Sequence, residues 1–138
     1  MAESAKAVVE RAVQLFNRDL GRGTADPGPD TRALWAPEPE IVPLRAELEG
    51  IAYTGPTAFD DFIADSLESW TRMEIDAEEI RELDDEHALV IGWLVGRARE
   101  TGLEMRARVA FLFVVKEGQI TVARTYSSER DALEGAKQ

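Results

Sequence analysis

The apolar positions of the chain change their period from element to element, and each change predicts a piece of structure. From Ser4 to Leu20 they fall at Ala5, Val8, Val9, Ala12, Val13, Phe16 and Leu20, the stripe of an amphipathic helix. Gly21 stops that helix, and Gly21–Asp30 is too rich in glycine and proline to be anything but loop. Asp30 is predicted to cap a short helical turn carrying Leu34 and Trp35, ended by Pro37 and Pro39. Glu40–Ala46 reads as a strand, at a sheet edge because Pro43 has no donor for a ladder. Gly55-Pro56 opens the next helix, with proline at its first position and Asp60 and Asp61 near its positive end. Phe59, Phe62, Ile63, Leu67 and Trp70 form its buried stripe. From Met73 the period is two, and the break at Glu78-Glu79 before Ile80 predicts a bulge.

After the turn Asp84-Asp85-Glu86, the strands Ala88–Arg99 and Leu103–Val115 form the hairpin that organises the sheet. A two-residue turn at Thr101-Gly102 would pair Ala98 with Met105, Gly96 with Ala107, Leu94 with Val109, Gly92 with Phe111 and Val90 with Phe113. Glycine and alanine on that face leave room where large side chains would meet, which suits the floor of a pocket. Glu117-Gly118 is a second two-residue turn. It would pair Val115 with Ile120, Phe113 with Val122, Phe111 with Arg124 and Val109 with Tyr126, so that Arg124 and Tyr126 share the cavity face. Ser128–Ala136 is short and polar, with room for a helical turn.

Composition narrows the function. At 138 residues the chain is expected to be one domain, 1–138, able to bury a core unaided. A net charge of −11 argues against nucleic acid and anionic membrane surfaces, which need a basic footprint. There is no cysteine and a single histidine, His87, so thiol chemistry and the usual zinc sites are excluded. No stretch reaches the apolar length of a membrane span, and the first residues carry no signal-peptide pattern, so a cytoplasmic protein is the expectation. The acidic run Asp76, Glu78, Glu79, Glu82, Asp84, Asp85, Glu86 alternates in direction along a strand and reads as solvated surface, with no metal and no cofactor expected.

The order helix, helix, strand, helix and four-stranded meander resembles the SnoaL-like branch of the nuclear-transport-factor-2-like (NTF2-like) superfamily. The residues that carry the likeness are Leu34-Trp35-Ala36-Pro37, Tyr53-Thr54-Gly55, Phe59–Trp70, the Asp84-Asp85 turn, Gly92, Gly96 and Lys116-Glu117-Gly118-Gln119-Ile120. The resemblance implies an α+β cone: a curved, mostly antiparallel sheet wrapped around helices, with an internal cavity, commonly in a dimer. The superfamily includes steroid isomerases, polyketide cyclases and epoxide hydrolases, so the fold leaves activity open. Where the isomerases carry a tyrosine and two aspartates, a rough alignment puts Ala12, Pro43 and Phe111, none of which transfers a proton or donates to an oxyanion.

The leading expectation is a protein that holds a small, largely apolar molecule, with Trp35, Tyr53, Leu94, Val109, Phe111, Phe113, Arg124 and Tyr126 around it. Arg124 would anchor an anionic or carbonyl group and Tyr126 would donate a hydrogen bond. The plainer reading of Arg124 is a structural pair with a helix carboxylate, or a bulge that turns it outward. The competing functions are a non-catalytic dimeric scaffold whose cavity is filled core, or an isomerase, cyclase or hydrolase of the polyketide-cyclase-like kind. Self-association is expected through the convex sheet face, at Ile91, Trp93, Leu112 and Ala123, rimmed by charge. His87 reads as a solvated residue with nothing in sequence to orient it.

Overall fold

Ser4 begins the first helix by accepting a hydrogen bond from the Ala7 N–H at 3.1 Å, the work of an N-cap serine. In the computed structural model, which describes residues 4–23, 28–44 and 52–137, this helix is α1, Ala5–Leu20. It is followed by α2 (Pro29–Ala33), β1 (Trp35–Val42), α3 (Ala58–Ser69), β2 (Trp70–Glu82), β3 (His87–Ala98), β4 (Glu104–Lys116), β5 (Gln119–Tyr126) and α4 (Glu129–Ala136). The result is the α+β cone: one curved, unclosed five-stranded sheet of order β1-β5-β4-β3-β2, with β1 parallel to β5 and the other pairs antiparallel.

The stripe read from the sequence of α1 is its buried face, packed with Val90, Val109, Phe111, Phe113, Val115 and Ile120 on the concave side. Ile63 and Leu67 of α3 join Leu20 and Met73 in a second apolar cluster beside it. Several boundaries differ from expectation. Gly28 caps α2, with Asp30 in its first turn, and Trp35 opens β1 instead of riding the helix. The edge strand therefore starts five residues before Glu40 and carries Pro37 and Pro39 within it; Ala46 lies outside the described residues. Pro56 sits in the turn before α3, whose N-cap is Thr57. The predicted bulge in β2 is present between Ala77 and Glu79.

The central hairpin corrects the predicted register. Its loop has four residues, Arg99–Gly102, closed by Ala98 N–H to Leu103 O at 2.9 Å and Gly102 N–H to Ala98 O at 2.8 Å. Gly92 therefore faces Val109, Gly96 faces Met105 and Leu94 faces Ala107. The loop is this long because Arg99 turns away to cap α3: its N–H donates to Ser69 O and its Nε to Leu67 O, at 2.9 and 3.0 Å. The shift of two residues preserves parity, so every side chain stays on its predicted face.

On β5 a shift of one residue does the opposite. Val115 pairs with Ile120 as predicted, but a bulge then sets Val114 against Val122, Phe113 against Ala123, Leu112 against Arg124 and Ala110 against Tyr126. Ala123 joins the concave core, while Arg124 and Tyr126 lie on the convex face.

The convex face is not the bare patch expected. The tail forms α4, and Ala132 buries itself against Leu89, Ile91 and Ala110, with Tyr126 and Leu133 alongside. The guanidiniums of Arg106 and Arg108 both lie over Trp93, 5.2 and 5.3 Å from its ring centre, and its Nε1 donates to Glu78. Of the predicted interface residues, Ile91 is covered, Trp93 is flanked by charge and Ala123 is on the other side. Leu112 is itself buried, at the bottom of a groove with the half-exposed Val114 and Val122.

Candidate functional site

The concave face holds an apolar slot. Ala12, Val13, Phe16, Asp19 and Leu20 enter it from one face of α1, since residues three and four apart on a helix point together. Thr31 comes from α2, Trp35 from β1, Phe59 and Ile63 from α3, Ile75 from β2 and Phe113 from β4. Its empty volume is about 400 Å³ counted out to the open mouth, but the part a water molecule can enter is about 40 Å³. Trp35 and Phe59 meet with ring centres 4.9 Å apart and form one wall.

Among the lining residues only Asp19 and Thr31 carry oxygen in their side chains, and both are buried, at 8% and 5% exposure. A carboxylate in the last turn of a helix sits at the negative end of the helix dipole, so it needs compensation. Arg18 supplies it, from Nε to Asp19 Oδ1 at 2.8 Å and from Nη2 to Oδ2 at 3.1 Å. Thr31 Oγ1 donates to Asp19 Oδ2 at 2.8 Å. Arg18 also reaches Asp30, from Nη1 to Oδ2 at 2.7 Å and from Nη2 to Oδ1 at 3.0 Å, which fastens α2 to the end of α1. Hydrogen bonding from Arg18 holds the Asp19 carboxyl below its ordinary range against the opposing effect of burial, and holds Asp30 at about 2. Near neutral pH Asp19 is thus a charged acceptor and a poor base.

The residues expected around a ligand are dispersed. Trp35 and Phe113 line the slot. Val109 and Phe111 lie in the core beneath α1, and Leu94 packs between that core and the α3 cluster. Tyr53 is buried against Phe62, ring centres 5.8 Å apart, and its hydroxyl donates to Asp65 Oδ2 at 2.7 Å. Its backbone pairs with Ile41 in two 2.8 Å bonds, extending the β1 edge. Arg124 donates from Nε to Glu40 Oε1 at 2.9 Å on the convex side, so the outward-turning bulge was the reading that matched, with a strand carboxylate in place of a helical one. Tyr126 packs under α4, where a side chain at Gly135 would collide with its hydroxyl. His87 does have an orienting partner, Asp84 Oδ1 at 2.8 Å from Nδ1. Three members of the acidic run form surface ion pairs, Asp76 with Arg106, Glu78 with Arg108 and Glu79 with Arg81.

Asp19 escaped the sequence reading although a signal was there. It lies three residues after Phe16, within the apolar stripe, where a charge is out of place unless it is paired.

No protein-family model matches the chain, and no curated protein does. Solved structures do. An NTF2-like protein of unknown function from Burkholderia pseudomallei K96243 is similar with a TM-score of 0.70 at 18% identity, over 96% of this chain and 97% of that one. A protein named as a SnoaL-like polyketide cyclase from Jannaschia sp. CCS1 gives 0.68 at 20% identity, over 99% and 94%. A Mycobacterium tuberculosis protein in complex with estradiol-17beta-hemisuccinate gives 0.69 at 18%, over 93% and 97%. At these identities the likeness establishes the fold, that of the SnoaL-like and NTF2-like cones. Among the described residues no helix is long and apolar enough to cross a membrane.

Proposed function

We propose that this NTF2-like cone binds a small, largely apolar molecule in the slot between α1, α3 and the sheet. The observation that carries the reading is the lining: an apolar surface with two buried polar side chains gathered at one end, already hydrogen-bonded and therefore stable when the slot is empty. Apolar walls with a few placed polar groups are the usual make-up of a ligand site, whereas a cavity used only as core is packed shut. The slot is lined by Trp35 and Phe113, two of the residues expected around a ligand, together with Phe16, Phe59, Ile63, Asp19 and Thr31. That a neighbour of the same fold is found with a steroid ester supports the reading. Among the described residues that line the slot, the one carboxylate, Asp19, is already held by Arg18 and Thr31, so what is proposed is binding. The test is titration of the protein with one-ring hydrocarbons, followed by NMR. Shifts confined to α1, α3 and Trp35 are expected, and their absence at millimolar ligand rejects the site.

We propose self-association at Val114 and Val122, which α4 leaves half-exposed, in place of the patch centred on Trp93. The groove there, in which Val114 and Val122 are rimmed by Glu86, His87, Lys116 and Arg124, favours it. Sedimentation equilibrium should show a dimer that Val122→Glu converts to monomer; a wild-type monomer at high micromolar concentration removes the assignment.

A further inference from the structure

The hydrogen-bond inventory at the polar end of the slot restricts the chemistry of what it holds, given the ligand-binding reading above. Thr31 Oγ1 has committed its proton to Asp19 Oδ2. The Arg18 guanidinium faces Asp19 and Asp30 through Nε, Nη1 and Nη2, and Arg18 does not line the slot. The side-chain donor that lines this end, the Thr31 hydroxyl, is therefore spent. Acceptors are not: Asp19 Oδ1 receives only Arg18 Nε among the described residues, and Thr31 Oγ1 receives only a 3.4 Å contact from Arg18 Nη2. Each of these oxygens can take a further hydrogen bond.

A carbonyl or ether oxygen brings lone pairs and meets acceptors. An anion meets two carboxylates, Asp19 and Asp30, whose partner Arg18 is already engaged. An ammonium must shed its water to reach a buried carboxylate that already shares the Arg18 guanidinium with Asp30. A neutral O–H group meets none of these penalties. The enclosed part of the slot, about 40 Å³, takes a water-sized group and not a ring, so the polar substituent enters it while the rest of a compact molecule stays in the open mouth. We infer that the slot selects a compact neutral molecule bearing a hydroxyl group, a phenol or small cyclic alcohol, whose O–H is donated to Asp19 Oδ1 or Thr31 Oγ1.

The experiment is an NMR titration of the full chain with six one-ring probes: phenol, anisole, benzene, cyclohexanone, benzoate and benzylamine. Phenol should bind at least about tenfold more tightly than anisole or benzene, as a hydrogen bond to a charged acceptor allows. Benzoate and cyclohexanone should bind more weakly than benzene. Asp19→Asn, checked for folding by circular dichroism, should cut the phenol-to-benzene ratio below about threefold while benzene binding persists. If that variant does not fold, the wild-type series decides alone. Equal affinities for phenol, anisole and benzene overturn the hydroxyl assignment but leave the slot as a ligand site. No binding by any probe overturns the ligand-binding reading itself. Tighter binding of cyclohexanone also overturns this inference and moves the polar contact to the Trp35 indole N–H; tighter binding of benzylamine makes the site one for cations.

Discussion

Asn17 and Ile75 hold each other by two hydrogen bonds, Nδ2 to the Ile75 carbonyl at 2.9 Å and the Ile75 N–H to Oδ1 at 2.7 Å. The side-chain amide of α1 acts as one more peptide on β2, which is an edge strand of the sheet among the described residues. The contact both silences part of that edge and sets the height of α1 over the concave face.

Removing the amide leaves a backbone donor and an acceptor half-buried without partners. Asn17→Ala should lower unfolding free energy by about 1–3 kcal/mol in denaturant titration. Asn17→Asp should not rescue it, because its second oxygen would oppose the Ile75 carbonyl. Equal stability of Asn17→Asp and wild type would show that the donor half contributes nothing.

Gly92 and Gly96 separate two kinds of close approach. A Cβ on Gly92 would collide with the backbone carbonyl of Asp76 at the β2 bulge, where neither strand can give way. A Cβ on Gly96 would come within 2.7 Å of the Trp70 ring, a half-buried side chain able to swing. Both alanine variants should cost stability, on the order of 1–3 kcal/mol for overpacking, with Gly92→Ala the larger. Thermal melts of the two decide it; the reverse order would mean that β2 slides more easily than Trp70 turns.

These two glycines show which parts of the fold the sequence displays. Alternation assigns faces, so the concave side of the central hairpin is legible even though the loop has four residues where two were expected. The backbone N–H of Arg99 is taken by Ser69 O, a tertiary contact with no trace in local pattern. Gly92 is expected to leave room opposite Phe111, whereas it lets the β2 backbone come close, where a Cβ would meet the Asp76 carbonyl. The bulge on β5 hides in the same way. Nothing in Thr121-Val122-Ala123 marks the extra residue, yet it sends Arg124 and Tyr126 to the convex face and removes them from the slot. Aromatic and apolar lining was partly visible, in Trp35 and Phe113. The polar end depends on α2 folding back so that Thr31 and Asp30 meet Arg18 and Asp19, across a loop whose path the sequence does not specify.

The Arg18 cluster makes stability depend on acid. Asp30 titrates at about 2 in the folded chain, against an ordinary 3.8, and Asp19 also lies below its ordinary value. Between these limits the unfolded chain binds more protons than the folded one, so stability rises with pH there. The contribution is present in full above about pH 4 and is lost as pH falls toward 2. Asp30→Asn should flatten part of the slope of denaturation midpoint against pH in that window, and the effect should shrink in high salt because Asp30 is exposed. An unchanged slope would assign the acid sensitivity to the other depressed carboxyls, Glu78, Glu79 and Asp84.

The C-terminal helix should be indispensable, for reasons that can be separated residue by residue. Ser128 caps it by accepting from the Asp131 N–H at 3.1 Å, and Ser128→Ala should cost about 1 kcal/mol. Ala132 has no exposed surface and presses on Leu89, Ile91 and Ala110, so Ala132→Glu would bury a charge with no partner at that contact. Breaking the seal this way should cost about 3–5 kcal/mol, near the cost of an unpaired buried charge. Gly135 lets the last turn lie against Tyr126, and Gly135→Val should lift that turn without disturbing the first. Ending the chain at Ser127 removes the cover altogether and exposes an apolar strip on β3 and β4, which should bind a hydrophobic dye and aggregate on warming. Thermal melts with dye binding rank the four variants: truncation worst, then Ala132→Glu, then the two milder changes. A truncated chain that melts like wild type and stays dark to the dye would mean that α4 rests on the sheet without sealing it.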